Sequence, residues 1–145
     1  AENGLANVIK NTGLLGRFQI IHKNPMVVFD TAHNPDGIVS LLKGIESYDY
    51  NQMHVVIGMS NDKKHEETLN LFAIDTQFYF CSSTNERVLE GSELAAIAMS
   101  HNIIGESFNS VEEAYRNALK NASKGDFVVV TGSNFIVADA LQVIF

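Results

Sequence analysis

The sequence predicts an α/β fold: a doubly wound, mainly parallel sheet with helices on both faces, Rossmann-like in architecture. Three observations lead there. Several short runs are apolar at every position instead of alternating, as strands are when both faces of their sheet are covered. Segments with helical spacing of apolar residues separate those runs, and the connections between them are short. No interior linker, repeat or low-complexity stretch divides the chain.

In chain order, Ala1 to Gly16 reads differently from the rest. Leu5, Val8 and Ile9 sit at helical spacing, but the pattern dissolves into Asn11-Thr12-Gly13 with no cap, like the end of a preceding unit. Phe18 to His22 is a short β-like run, and Met26-Val27-Val28-Phe29 is a buried strand. Asn34 is placed to cap a helix with Pro35 in its first turn, running to about Ser47 on Ile38, Leu41, Leu42 and Ile45. Val55-Val56-Ile57 is the next strand, ended by Gly58, and Lys63 to Phe72 is a polar-faced helix. Phe78-Tyr79-Phe80-Cys81 is strand-like, and Ser92 to Ser100 is helical. Ser110, with Glu113 three residues on, reads as a capping box opening Val111 to Ala122. Phe127-Val128-Val129-Val130 is the last clear strand, and Ser133 or Asn134 opens a terminal helix.

The 145 residues allow one domain and a sizeable core. Ten basic against seventeen acidic side chains give a net charge of −7, which argues against nucleic acid or an anionic membrane surface as partner. It leaves room for a local anion site, because backbone amides supply positive potential without changing net charge. The single cysteine, Cys81, excludes an internal disulfide and a thiolate cluster. No apolar run approaches the roughly 20 residues of a membrane span, and no basic-then-apolar leader opens the chain, so the expected compartment is the cytoplasm.

In doubly wound sheets, ligands bind beyond the carboxyl ends of the strands, so the loops there carry the candidate residues. Asp30 directly follows a buried strand, where a carboxylate suits a ribose diol, and His33 precedes a helix N-terminus, where imidazole can meet an anion. Equally, Asp30 and Asn34 can serve only to cap the helix, with His33 solvated. Lys63 opens a helix against the macrodipole, as a ligand-binding lysine or as a solvated side chain. Gly132-Ser133 between strand and helix is an anion cradle or a capped glycine turn. Arg17 offers bidentate phosphate contact. The five histidines show no HExxH spacing, and no GxSxG, Walker A or GxGxxG motif occurs, so no metal site and no phosphate-gripping loop are expected in this chain.

Four segments in this order resemble the carboxy-terminal domain of folylpolyglutamate synthase/dihydrofolate synthase, within the wider Mur ligase family. They are Gly16-Arg17-Phe18, Asp30-Thr31-Ala32-His33-Asn34-Pro35, Gly58-Met59 through Asp62-Lys63, and Gly132-Ser133. The D-x-A-H-N-P element, with an arginine thirteen positions upstream and the later G-M…D-K loop, is the specific part. The likeness spans Leu14 to Phe145, with Ala1 to Gly13 resembling the tail of the family's central domain. It implies an ATP-dependent ligase that adds L-glutamate to dihydropteroate or to a folate polyglutamate tail through an acyl phosphate. In that family the central domain of the same protein carries the P-loop and the magnesium ligands, so the partner of this domain is that ATPase domain. The resemblance further implies that Arg17 and Asp30 contact ATP and that His33 is needed for catalysis. Lys63 and Ser133 would lie near the incoming glutamate. Thr31 stands where the family more often has glycine, and Lys64 where it often has a second aspartate. Without its partner domain the chain should be inactive. The competing expectations are a stand-alone nucleotide- or metabolite-binding module, and a small enzyme pairing His33 with Asp30 or Asp36.

Overall fold

A computed structural model describes residues 17–61 and 64–144. The strands are β1 (Gln19–Lys23), β2 (Met26–Phe29), β3 (Met53–Ile57), β4 (Gln77–Cys81), β5 (Gly105–Phe108) and β6 (Phe127–Thr131). The helices are α1 (Pro35–Ile45), α2 (His65–Leu69), α3 (Gly91–Ser100), α4 (Val111–Asn121) and α5 (Asn134–Val143). All six strands form one sheet in the order β1-β2-β6-β3-β4-β5, parallel except for the antiparallel β1–β2 pair. Registers place Phe29 beside Val130, Ile57 beside Thr131 and Phe80, and Cys81 beside Phe108. The carboxyl ends of the parallel strands therefore line one edge.

The apolar strands are apolar on both sides because both sides are covered. Val28, Val55, Ile57, Phe80 and Val129 pack under α1, α2 and α3, through Ile38, Leu41, Leu69 and Leu94. Val27, Phe29, Val56, Val128 and Val130 pack under α4 and α5, through Val111, Ala114, Ile136 and Ala140. Thus β2 and β3 lead into helices on one face, while β6, lying between them, leads into α5 on the other. Loops diverging to opposite faces from adjacent strands open a crevice at that point of the edge. The right position for a ligand is set by topology alone.

The helix starts follow local chemistry. Asn34 Oδ1 accepts the Gly37 N–H at 2.8 Å, with Pro35 in the first turn. Ser110 Oγ accepts the Glu113 N–H at 3.1 Å, and Ser133 Oγ accepts that of Phe135 at 3.0 Å. Two elements differ from the sequence reading. Helix α2 closes at Leu69, with Leu71 and Phe72 held by three-residue turns instead of continuing it. Strand β5 has no counterpart in the hydropathy pattern, since Glu106 and Ser107 on this sheet edge are exposed. Among the described residues no helix is long and apolar enough to cross a membrane.

Candidate functional site

Arg17, Asp30 and His33 line one open cavity of about 500 Å³ beyond the end of β2. Asp30 holds its entrance together. Its N–H donates to the Val130 carbonyl at 2.9 Å, fixing the loop to β6. Its carboxylate accepts the Ala32 N–H through Oδ1 at 2.8 Å and the Phe18 N–H through Oδ2 at 2.9 Å. Burial pushes the Asp30 carboxyl above its ordinary range, against the pull of those two N–H groups and of the Arg17 charge. Each oxygen keeps a second lone pair, so bonding to the backbone does not exhaust the group.

His33 is exposed, and its Nδ1 lies 3.2 Å from the Thr31 carbonyl. A carbonyl only accepts, so Nδ1 carries the proton of that bond and Nε2 is the second ring position. The neighbouring start of α1 gives less to an anion than its position in the fold suggests. Pro35 has no N–H, the Gly37 N–H is taken by Asn34, and Asp36 adds a negative charge. Positive potential in this cavity therefore rests mainly on the Arg17 guanidinium.

The loops beside this cavity are stitched to one another. Ala32 O accepts the Gly132 N–H at 2.9 Å and the Thr131 hydroxyl at 3.2 Å, tying the ends of β2 and β6. Gly132 has φ 109°, and a Cβ there would overlap the Gly58 carbonyl oxygen at the end of β3. Ser133 is buried and caps α5; it does not line the cavity that holds Arg17, Asp30 and His33. The β3 loop is pinned to the β4 loop by a bridge between Ser60 and Val88, and Leu89 N–H donates to Met59 O at 2.9 Å. Lys63 lies outside the described residues.

Several features were not anticipated. Phe18, Ser40 and Gly44 join the cavity wall; a glycine inside an amphipathic helix pattern was the signal for the last. A second cavity of about 520 Å³ opens on the same edge between α4 and α5. There the Asp139 carboxylate accepts from Ser83 Oγ at 2.8 Å, Thr84 N at 2.9 Å and Thr84 Oγ1 at 2.9 Å. The Ser-Ser-Thr run after an apolar strand was its only trace in the sequence. Among the described residues, no three His, Cys, Asp or Glu side chains gather as metal ligands. Cys81 is fully buried, and burial raises its thiol pKa far above the usual range, so it offers no thiolate to a ligand.

Comparison with known proteins identifies the family of this fold. Residues 16–134 match the family model described as Mur ligase, glutamate ligase domain. The dihydrofolate synthase/folylpolyglutamate synthase of Escherichia coli is 34% identical over 147 residues, covering 99% of this chain and 34% of that protein. The crystal structure of the bifunctional folylpolyglutamate synthase/dihydrofolate synthase from Yersinia pestis, complexed with AMPPNP and Mn ion, superposes with a TM-score of 0.80 at 28% identity. The match covers 89% of this chain and 31% of that one. The Escherichia coli FolC structure in complex with DHPP and ADP superposes with a TM-score of 0.79 at 34% identity over 89% of this chain and 31% of that one. The chain thus spans about a third of the length of these relatives. With the family model covering the fold from Arg17 to the start of α5, this chain belongs to the Mur ligase family as its glutamate ligase domain.

Proposed function

We propose that this chain is the carboxy-terminal domain of an ATP-dependent ligase that adds L-glutamate to dihydropteroate, to the glutamate tail of a folate, or to both. The observation that carries the reading is the convergence of Arg17, Asp30 and His33 on one cavity at the topological switch point. A bifunctional folylpolyglutamate synthase/dihydrofolate synthase similar to this chain over 31% of its length has been crystallised with Mn, AMPPNP and L-glutamate bound, which supports a nucleotide and an amino acid as ligands of the whole enzyme.

In the proposed reaction the acceptor's carboxylate attacks the γ-phosphorus of ATP, ADP leaves, and the glutamate amine then displaces phosphate from the acyl phosphate. A divalent ion screens the phosphates; its ligands belong to the ATPase domain of the same protein, as does the P-loop. The residues of this chain bind and orient. Arg17 contacts the nucleotide's phosphates through its guanidinium fork. Asp30 fixes the loop and the Arg17–Phe18 segment, with its remaining lone pairs available to the ribose or phosphate end of the nucleotide. His33, held by the Thr31 carbonyl, faces the charge that builds up at transfer. Lys63 belongs to the glutamate side, and Ser133, buried as the cap of α5, would act there through the loop it holds and not by direct contact. Closing this domain over its partner excludes water from the acyl phosphate, which would otherwise hydrolyse. The reaction class fits a cytoplasmic enzyme.

The test is steady-state kinetics of the full-length protein with folate, glutamate and ATP. Arg17→Ala should raise the KM for ATP roughly tenfold or more, the loss of a charge-assisted hydrogen bond. His33→Ala should lower kcat with little change in that KM. An Arg17→Ala enzyme that binds ATP as tightly as its parent defeats the nucleotide assignment.

A further inference from the structure

Phe18 has a backbone conformation that a bulky side chain rarely adopts. Its φ is 51°, in the left-handed region. Among the described residues Asn102 is the other non-glycine with positive φ, and asparagine tolerates it through local hydrogen bonding. A phenylalanine there has to be held by its surroundings. Three contacts hold it. Its N–H donates to Asp30 Oδ2 at 2.9 Å. Its ring stacks on Tyr48, with centroids 6.0 Å apart and planes 21° apart. Its ring edge also lies over Gly44, where a Cβ would come within 2.8 Å of Phe18 Cε2.

Gly44 gives this arrangement its meaning. It sits in the last turn of α1, where glycine weakens a helix relative to alanine. Its missing side chain is the space the Phe18 ring occupies. A left-handed residue at this point breaks the β1 strand direction at its start. The break delivers Arg17 to the same cavity as Asp30 and His33. We propose that Phe18, seated on Gly44 and latched through its N–H by Asp30, is a positioning residue that presents the Arg17 guanidinium to the nucleotide phosphates. The inference rests on the nucleotide reading above and adds what aims the arginine. It also gives Asp30 a role exerted through Phe18, beside any contact with ligand.

The experiment uses the full-length protein and compares KM for ATP with KM for glutamate in Phe18→Ala, Phe18→Tyr and Gly44→Ala, each with and without Arg17→Ala. Gly44→Ala is the cleaner probe. The atom it meets is the far edge of a ring, so the ring and the segment carrying it shift while α1 gains a better helix former. Phe18→Ala and Gly44→Ala should raise the ATP KM roughly tenfold to a hundredfold, the cost of misplacing a binding group by about an ångström. The glutamate KM should stay within about twofold, and Phe18→Tyr, which keeps the ring, should match the parent. In the Arg17→Ala background, changes at Phe18 and Gly44 should add nothing further, because the group they aim is gone. Equal factors with and without Arg17 would show that the two residues act on the fold alone, and would overturn the proposal. An Arg17→Ala enzyme with the parental ATP KM overturns the nucleotide reading itself, a different result. Should Phe18→Ala fail to fold, the Gly44→Ala pair decides the matter alone.

Discussion

His54 is a deeply buried histidine away from the cavity, and both of its ring nitrogens are engaged. It sits on β3 near the amino end of the sheet, 1% exposed, with Asp126 (7%) on one side and the Tyr79 hydroxyl on the other. A carboxylate only accepts, so His54 Nε2 donates to Asp126 at 3.0 Å, and Nδ1 lies 2.9 Å from the Tyr79 hydroxyl. The Tyr79 oxygen in turn accepts from Asn121 Nδ2 at 3.2 Å, and Asp126 accepts the Ser123 N–H at 2.9 Å. Burial alone would raise the Asp126 pKa; the Ser123 N–H and the bond and charge of His54 outweigh it and bring it below the ordinary 3.8. A carboxyl lowered on folding stabilises the native state above its unfolded pKa, and that contribution is lost as pH falls through the folded value. Asp126→Asn should therefore cost roughly 1.5–3 kcal/mol at neutral pH, the worth of hydrogen bonds to a charged group. The gap between variant and parent should close as urea denaturation is repeated below pH 3.8. A gap that stays constant with pH would locate the loss in packing and not in charge. None of this network was legible in the sequence, where His54 stands inside a buried strand and Asp126 is 72 positions away. Asp30 and His33 were legible because position after a strand, not contact, singled them out; Arg17, ahead of β1, stood out only through its guanidinium and the family resemblance.

At the scale of elements, hydropathy located what is buried and missed what is at an edge. β2, β3, β4 and β6 announced themselves because helices cover both of their faces. β5 did not, since its Gly-Glu-Ser-Phe run pairs only with β4 and shows its polar residues to solvent. The short α2 was overextended because Leu71 and Phe72 continue its apolar stripe after the hydrogen bonding has tightened to three-residue turns. The loops carried their own grammar, and Gly132 is the strictest case. Its φ of 109° and the Gly58 carbonyl oxygen against it leave no room for a Cβ. Gly132→Ala should cost at least about 1–3 kcal/mol in backbone strain alone, before any displacement of the β3 loop. In a thermal melt that lowers Tm by several degrees, about 2–4 °C per kcal/mol or more for a chain this size. A variant that melts with the parent would mean the loop does not need the left-handed conformation.

For the molecule as a whole, the question is what this domain accomplishes without the remainder of its relatives' length. Both faces of its sheet are covered and its two cores are contiguous with their helices, so the chain should fold alone and melt cooperatively. Binding is another matter. The chain carries a net charge of −7, and the cavity's guanidinium, Arg17, is exposed. Of the α1 amides beside it, that of Gly37 is spent on Asn34 and Pro35 has none. A single solvated ion pair contributes about 0–1 kcal/mol, far short of what desolvating a triphosphate requires. The isolated chain should therefore give no saturable ATP binding in calorimetry below about 1 mM, where the free energy of binding is about −4 kcal/mol. It should also release no phosphate from ATP in the presence of folate and glutamate. On the reading proposed above, supplying an ATPase domain on the same polypeptide should restore both, because the phosphates would then be gripped from the other side and Arg17 would act in a closed, water-poor crevice where its charge counts for more. Tight ATP binding or folate-dependent turnover by the isolated chain would contradict this division of labour and place the phosphate grip within these residues.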